Sequence, residues 1–268
     1  MSAGISNGLP PEGGDAPGGA DSAGTPWAGR SFGGHDDAYA DDDGRADPRL
    51  VSAIEALQGG GSARGVVDAV RSARLLVPLL AEAGAIGHTA DGRQVDKTQE
   101  LAVVTVAGPD GRTVMPAFSS ADTLTAWNPE ARPVPVDARK LALAAVSEGT
   151  ELIVVDPGGA TEFLIRRPAV WSLGKGIPWI PSWEDPEVAA AFAASSAVDP
   201  RIAQIVVLPG DRLGRSAGPE LRVDLAIAPG LDAQSVQAIL GAVQRRWAET
   251  TIIAERVDSL SVAVRAAA

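Results

Sequence analysis

The chain has no cysteine, which removes disulfides, thiolate nucleophiles and thiolate metal ligands together. A reducing compartment is compatible with that absence. Histidine is almost as scarce: His35 and His88 are the only two, and neither has ligand neighbours at helical or hairpin spacing, so no metal site is expected. Apolar runs are short, the longest being Leu75 to Ala81, whereas a bilayer-spanning helix takes ~20 residues. Met1 to Ile5 has neither a basic nor an apolar leader character, so a cytoplasmic protein with no membrane association is expected. Basic charge is also in deficit, with 23 Lys and Arg against 34 Asp and Glu. Nine acidic and three basic side chains fall in the first 50 residues, so that segment carries −6 of the net −11 and the remainder only −5. A mildly acidic folded part offers no basic face for phosphate, and nucleic acid is not expected as a partner.

What is present suffices for burial: 268 residues, 45% of them apolar, can form one large or two small cores. Residues 1–46 stand apart, with eleven glycines, four prolines and few large apolar side chains. Ordering each residue costs roughly 1–2 kcal/mol of backbone entropy that such a segment cannot recover, so a disordered acidic tail is expected. Its Asp41-Asp42-Asp43-Gly44 run has the look of a calcium loop. With Gly44 at the sixth position, however, Tyr39 and Leu50 occupy the first and twelfth, where carboxylates are required. Order is expected to begin at Asp47-Pro48, a cap followed by a proline at the first helical position, with Leu50, Ile54 and Leu57 on one face. After Gly59-Gly60-Gly61, Ser62 caps a second helix with Val66, Val67 and Val70 inward, and Leu75 to Val77 turns extended. Gly60 and Gly65 have phosphate-loop spacing, but Val66 and Val67 stand where Lys and Ser or Thr are needed. Ala83 to Gln99 reads as a long surface loop.

The segment from Thr98 to Arg167 organises the first half. Leu101 to Val106 is a β-branched, apolar strand; Pro109-Asp110-Gly111 reverses it, and Val114 to Phe118 returns antiparallel. Ser119 and Ser120 are both placed to cap a helix whose Leu124 and Trp127 face inward. Pro133 to Val136 is extended and, lacking donors, belongs at a sheet edge. Asp137 caps a helix with Leu141, Ala142, Ala145 and Val146 as its buried stripe, ended by Gly149. Leu152 to Val155 and Thr161 to Ile165 form a second strand pair, and Pro168 opens a short helix.

Beyond Gly176, prolines and tryptophans interleave from Ile177 to Pro186. Trp171, Trp179 and Trp183 are expected to fill a joint between domains, as large rings commonly do. A sharper reading makes them an aromatic cleft with Arg166, Arg167 and Lys175 at its rim for an anionic group. Asp185-Pro186 caps an alanine-rich helix, and a second pattern follows. Arg201 to Leu208 is a strand; Glu220 to Ile227 alternates, with Leu221, Val223, Leu225 and Ile227 inward and Glu220, Arg222 and Asp224 toward solvent. Asp232 caps a helix with Val236, Ile239, Leu240, Val243 and Trp247 in one stripe, and Ser259 to Arg265 is the last strand. The fold class expected is α+β: a tail of 1–46, then two consecutive small domains, 47–184 and 185–268, each a mixed or mainly antiparallel sheet covered by helices.

Two short patterns suggest chemistry. Gly214-Arg215-Ser216-Ala217-Gly218 matches a nucleophile elbow, yet no histidine follows His88 and the segment lies between two strands rather than between strand and helix. Ser172-Leu173-Gly174-Lys175 fits Ser-x-x-Lys without the motifs that accompany it in acyl-transfer enzymes. Both read better as structure, and no catalytic residue and no cofactor are assigned.

Arg71 to Pro78, Leu101 to Thr105 with Met115 to Ser120, Leu152 to Asp156 and Arg167 to Trp171 together resemble the SseB family, bacterial proteins named for enhanced serine sensitivity. The resemblance runs from about Arg49 through Asp185 and looks close to actinobacterial members. Pro229 to Asp232 and Glu255 to Leu260 are similar to the family's C-terminal domain. It implies the two-domain α+β fold and transfers no catalytic residue. A secretion translocon subunit shares the name, but the lack of long apolar helices argues against that role. Two functions follow as expectations. One is a non-enzymatic binding or regulatory protein engaging a protein partner or small metabolite. The other is an enzyme with an unrecognised site, acting on an amino-acid or phosphate-bearing substrate through Ser216 or Ser172. The missing nucleophile, base and metal ligands favour the first.

Overall fold

A computed structural model describes residues 39–80, 87–88, 94–95, 104–108 and 110–267. Residues 1–38 of the expected tail, residues 101–103 of the expected strand and most of the expected loop over 83–99 lie outside the described residues, whereas the last residues of that tail are tied to the fold through the Gly44 and Arg45 carbonyls. Residues 43–268 make one compact unit; of 1–42 only a turn is described, closed by the Asp42 N–H on the Tyr39 carbonyl at 3.1 Å.

Local chemistry starts the first two helices where the sequence places them. Asp47 accepts from the Arg49 N–H and Pro48 opens α1 (Pro48–Gln58); Ser62 accepts from the Arg64 N–H at the head of α2 (Ala63–Ser72). The chain then extends as β1 (Arg74–Leu79), followed by the two-residue strands β2 (Gly87–His88) and β3 (Gln94–Val95), which pair with each other. The expected hairpin forms antiparallel from β4 (Val106–Ala107) and β5 (Thr113–Ala117), but its first strand is shorter than expected, with Val104 and Thr105 outside it. Next come α3 (Ala121–Trp127), β6 (Arg132–Asp137) and α4 (Ala138–Ser147), the last capped by Asp137 through the Lys140 N–H. The second strand pair is β7 (Ile153–Val155) antiparallel to β8 (Phe163–Ile165), and α5 (Arg167–Lys175) follows.

Proline-rich β6 pairs only with β1, at the edge its missing donors require. One bridge, Leu76 with Phe118, links β1 to the end of β5, and β5 runs parallel to β7. The first core gathers Leu50, Val66, Leu75, Met115, Leu141 and Ile165 under α1, α2, α4 and α5. The second begins at α6 (Pro186–Ala194) and a 3-10 turn (Ser195–Val198). It continues through β9 (Ile202–Pro209), β10 (Leu221–Ile227), α7 (Ala233–Glu249), α8 (Thr251–Arg256) and β11 (Leu260–Ala266). Here β10 is central, antiparallel to β9 and parallel to β11. Ile239, Val243 and Trp247 of α7 cover it, and the Trp247 indole donates to Ser195 Oγ at 2.7 Å. The architecture is α+β, with mixed sheets. Among the described residues no helix is long and apolar enough to cross a membrane.

Three side chains depart from the sequence reading. Val146, placed in the buried stripe of α4, is 46% exposed, because the stripe closes with Leu141, Ala142 and Ala145 and the next position turns outward. Glu220, placed on the solvent face, is 1% exposed, since it precedes β10 and is held by side chains from elsewhere. Ser119 does not cap α3. Ser120 does, accepting from the Thr123 N–H, while Ser119 is buried and gives both its N–H and its hydroxyl to Asp156 at 2.8 and 2.6 Å.

Asp156 is the tightest local device of the first core. It is 1% exposed, takes a left-handed φ of 47° after β7, and accepts a third bond from Thr161 Oγ1 at 2.7 Å. A buried carboxylate is tolerable only when its oxygens are so satisfied. Asp156→Ala leaves the Ser119 amide unpaired and forces alanine into a left-handed turn, so it should lower the unfolding free energy by about 2–4 kcal/mol in urea melts.

Candidate functional site

Two sizeable cavities flank the passage from the first core to the second. Arg71 fixes the start of the joint by donating to the Ile177 carbonyl at 2.7 Å, and Ser62 Oγ donates to Glu184 at 2.9 Å farther along. Gly176, at φ 69°, lets the chain leave α5 in the left-handed conformation that ends a helix. Trp183 is half-buried and touches both cores.

The first cavity, about 400 Å³, is lined by Trp171 and Lys175 of α5, by Trp179 on the joint, by Asp185, and by Glu255 and Arg256 of α8. Lys175 Nζ stands 5.5 Å from the centroid of the Trp171 ring and the Arg167 guanidinium 5.4 Å from it. Arg167 also donates to the Ala254 and Val257 carbonyls at 2.8 and 2.6 Å, tying α5 to the end of α8. Arg256 is committed to Asp185 at 2.9 Å and Glu187 at 2.6 Å. Lys175 and Glu255 make no ion pair with any described residue. The Trp179 indole N–H is buried without a hydrogen-bond partner.

The second cavity, about 420 Å³, has an apolar floor of Leu152 and Leu164 and a charged wall. Arg112 grips Asp258 with two bonds of 2.9 and 3.0 Å and Asp110 with a third of 2.7 Å. Arg166, 6% exposed, reaches Asp211 at 2.7 Å, Asp258 at 3.2 Å and the Gly218 carbonyl at 2.8 Å. The Asp258 side chain has no exposure. Burial pushes its carboxyl up, but the Arg112 hydrogen bonds and the Arg112 and Arg166 charges outweigh it and hold the group below the ordinary value. Glu220 lies behind, accepting from Ser182 Oγ and the Asp258 N–H at 2.6 Å each. For Glu220 burial wins, and the carboxyl is pushed up.

The tertiary structure therefore divides the residues grouped by sequence. Trp171, Lys175 and Trp179 share the first cavity, with Arg167 against Trp171; Arg166 lines the second; Trp183 borders only a void of about 20 Å³. Sequence reasoning missed Glu255 and Arg256, which fall on a helix that no periodic stripe announces. It also missed Asp258, Asp211 and Arg112, isolated charges in turns. Ser172 is buried and donates within its helix to the Ala169 carbonyl at 3.0 Å. Ser216, at φ 56°, lines the second cavity. No basic side chain bonds either hydroxyl among the described residues, and no group of three His, Cys, Asp or Glu among them could hold a metal ion.

Arg166→Met should cost about 3–5 kcal/mol in urea unfolding, because it leaves Asp211 and Asp258 buried with one cation between them. Glu220 sets a pH signature. Its folded pKa is raised, so its contribution is full below the unfolded value of 4.5 and is lost as pH rises through the higher folded value. Asp258 acts oppositely: its contribution is present above 3.8 and lost as pH falls through the lowered folded value. Glu220→Gln can donate to Ser182 and still accept from Asp258, mimicking the protonated acid. Urea midpoints across pH 4 to 8 should decline in the parent above pH 4.5 and lose that slope in the variant.

Residues 50–172 match the family model described as the SseB protein N-terminal domain. No curated protein and no solved structure matches the chain. Residues 50–172 thus form a domain of the SseB family.

Proposed function

We propose that this is a non-enzymatic binding protein with two domains, 47–184 and 185–268, whose first cavity takes a small zwitterionic metabolite with an apolar body at their joint. The supporting observation is that one cavity of about 400 Å³ has both Lys175 and Glu255 without ion-pair partners, beside two indole rings. Such a volume suits a small molecule, and pockets of this kind pair an apolar wall with a few convergent polar groups. Lys175 meets the ligand carboxylate and Glu255 its ammonium. The Trp179 N–H, buried and unpartnered, is the third polar group available to fix orientation. Arg256 is occupied by Asp185 and Glu187, so it shapes the wall rather than adding a free charge.

Thermal melts of the full chain with a panel of amino acids, and with their amides and decarboxylated amines as controls, test this reading. A ligand at a hundredfold its Kd adds about 2.7 kcal/mol to the native state and raises the melting midpoint saturably. The expected pattern is a shift with zwitterions, weakened about tenfold or more in Lys175→Ala and in Glu255→Gln, and absent with the amines. A panel that leaves the midpoint unmoved overturns the proposal.

A further inference from the structure

The three-stranded sheet of the second core has an open rim. In its order β11-β10-β9, β11 has a neighbour on one side only, and no described strand or helix bonds its outer edge. The register settles which groups face outward. The Leu221 N–H bonds the Ser259 carbonyl and the Ala267 N–H bonds the Ile227 carbonyl, which turns the amides and carbonyls of Ser261, Ala263 and Arg265 toward β10. Those of Val262, Val264 and Ala266 therefore point away from the sheet.

Natural edges are blunted by lysine, proline, a bulge, shortness or a covering element. β11 has seven residues, Leu-Ser-Val-Ala-Val-Arg-Ala, in unbroken register with β10. Its one charge is withdrawn: the Arg265 guanidinium lies back over the open face, 3.4 Å from Gln204 Oε1 on β9. The chain carries −11 overall, but no acidic residue lies on this strand, so the general repulsion between copies has no local source here. Val264 remains 39% exposed.

We propose that β11 is a self-association edge: two copies of the chain pair their β11 strands antiparallel about a two-fold axis at Ala263, joining two three-stranded sheets into one of six. The sequence is complementary to itself in that register. Val262 faces Val264 of the other copy in both hydrogen-bonded pairs, using the outward amides, and β-branched pairs are favourable across antiparallel strands. Ser261 faces Arg265, so no like charges meet. The two Ala263 residues stand opposite each other in a non-hydrogen-bonded pair, with Cα atoms about 4.5 Å apart.

Because the chain has no cysteine, engineered thiols report on this geometry without background. The full chain should sediment at twice its 27.3 kDa mass at tens of micromolar. Ala263→Cys should form a covalent dimer under mild oxidation, its Cα separation being within disulfide range. Ser261→Cys should not, since four residue steps of about 3.3 Å put its copies about 13 Å apart. Val264→Pro removes only an outward N–H and should weaken dimerisation at least tenfold. A chain monomeric at all concentrations, or a dimer in which Ser261→Cys links as readily as Ala263→Cys, overturns the proposal. Should Val264→Pro fail to fold, the paired cysteine variants still decide.

Discussion

Two arginines and two buried aspartates hold the described unit together. Arg112 sits in the β4–β5 turn, Arg166 between β8 and α5, Asp211 beyond β9 and Asp258 just ahead of β11, so every bond among them joins the first core to the second or fixes a loop between them. An ion network of this kind contributes little net stability over an apolar filling of the same shape. It is intolerant of partial loss, however, because an unpartnered charge in the interior costs several kcal/mol. Its effect is to define how the two cores meet. Ser259, Gly218, Ser182 and Glu220 extend the same polar seam, and each of them is hydrogen-bonded within it.

The seam lines one of the two cavities and not the other. One opens where the charged wall meets the apolar outer face of the β5–β7–β8 sheet; the other opens behind it, where α5, the tryptophan joint and α8 converge. The difference between them is electrostatic. In the charged cavity each arginine is met by carboxylates, whereas the tryptophan cavity retains a cation and an anion with no ion-pair partners among the described residues. The proposed recognition site is on the side where geometry leaves charges without ion-pair partners and an indole N–H unbonded.

Much of the element order was legible from the residues. Asp47, Ser62, Asp137, Asp185 and Asp232 all cap the helices they were expected to cap, because a cap needs only its own next two or three amides. Both strand pairs formed around their glycine turns, and β6 took an edge because prolines cannot donate. The candidate site was legible in part. Trp171, Lys175 and Trp179 are neighbours through one helix and its exit, a relation of short range. Arg166 is one residue from Arg167, yet the first lines the charged cavity while the second turns to the Trp171 ring and the end of α8. Glu255 gave no signal, since α8 is only six residues long and follows α7 directly.

The sequence by itself determined where elements start, stop and bury a stripe, since those depend on side chains reaching their own backbone and on periodicity along the chain. Only the tertiary structure decided the fate of the charges. Arg112 finds Asp258 across 146 residues and Arg166 finds Asp211 across 45. It also decided that Glu220 is buried while Val146 is exposed, and that β11 runs parallel to β10 with its far edge open among the described residues. The physical reason is common to all of these. A charge, a carboxyl or a strand edge is stable only relative to the partner it meets, and that partner is set by how the two cores are brought together.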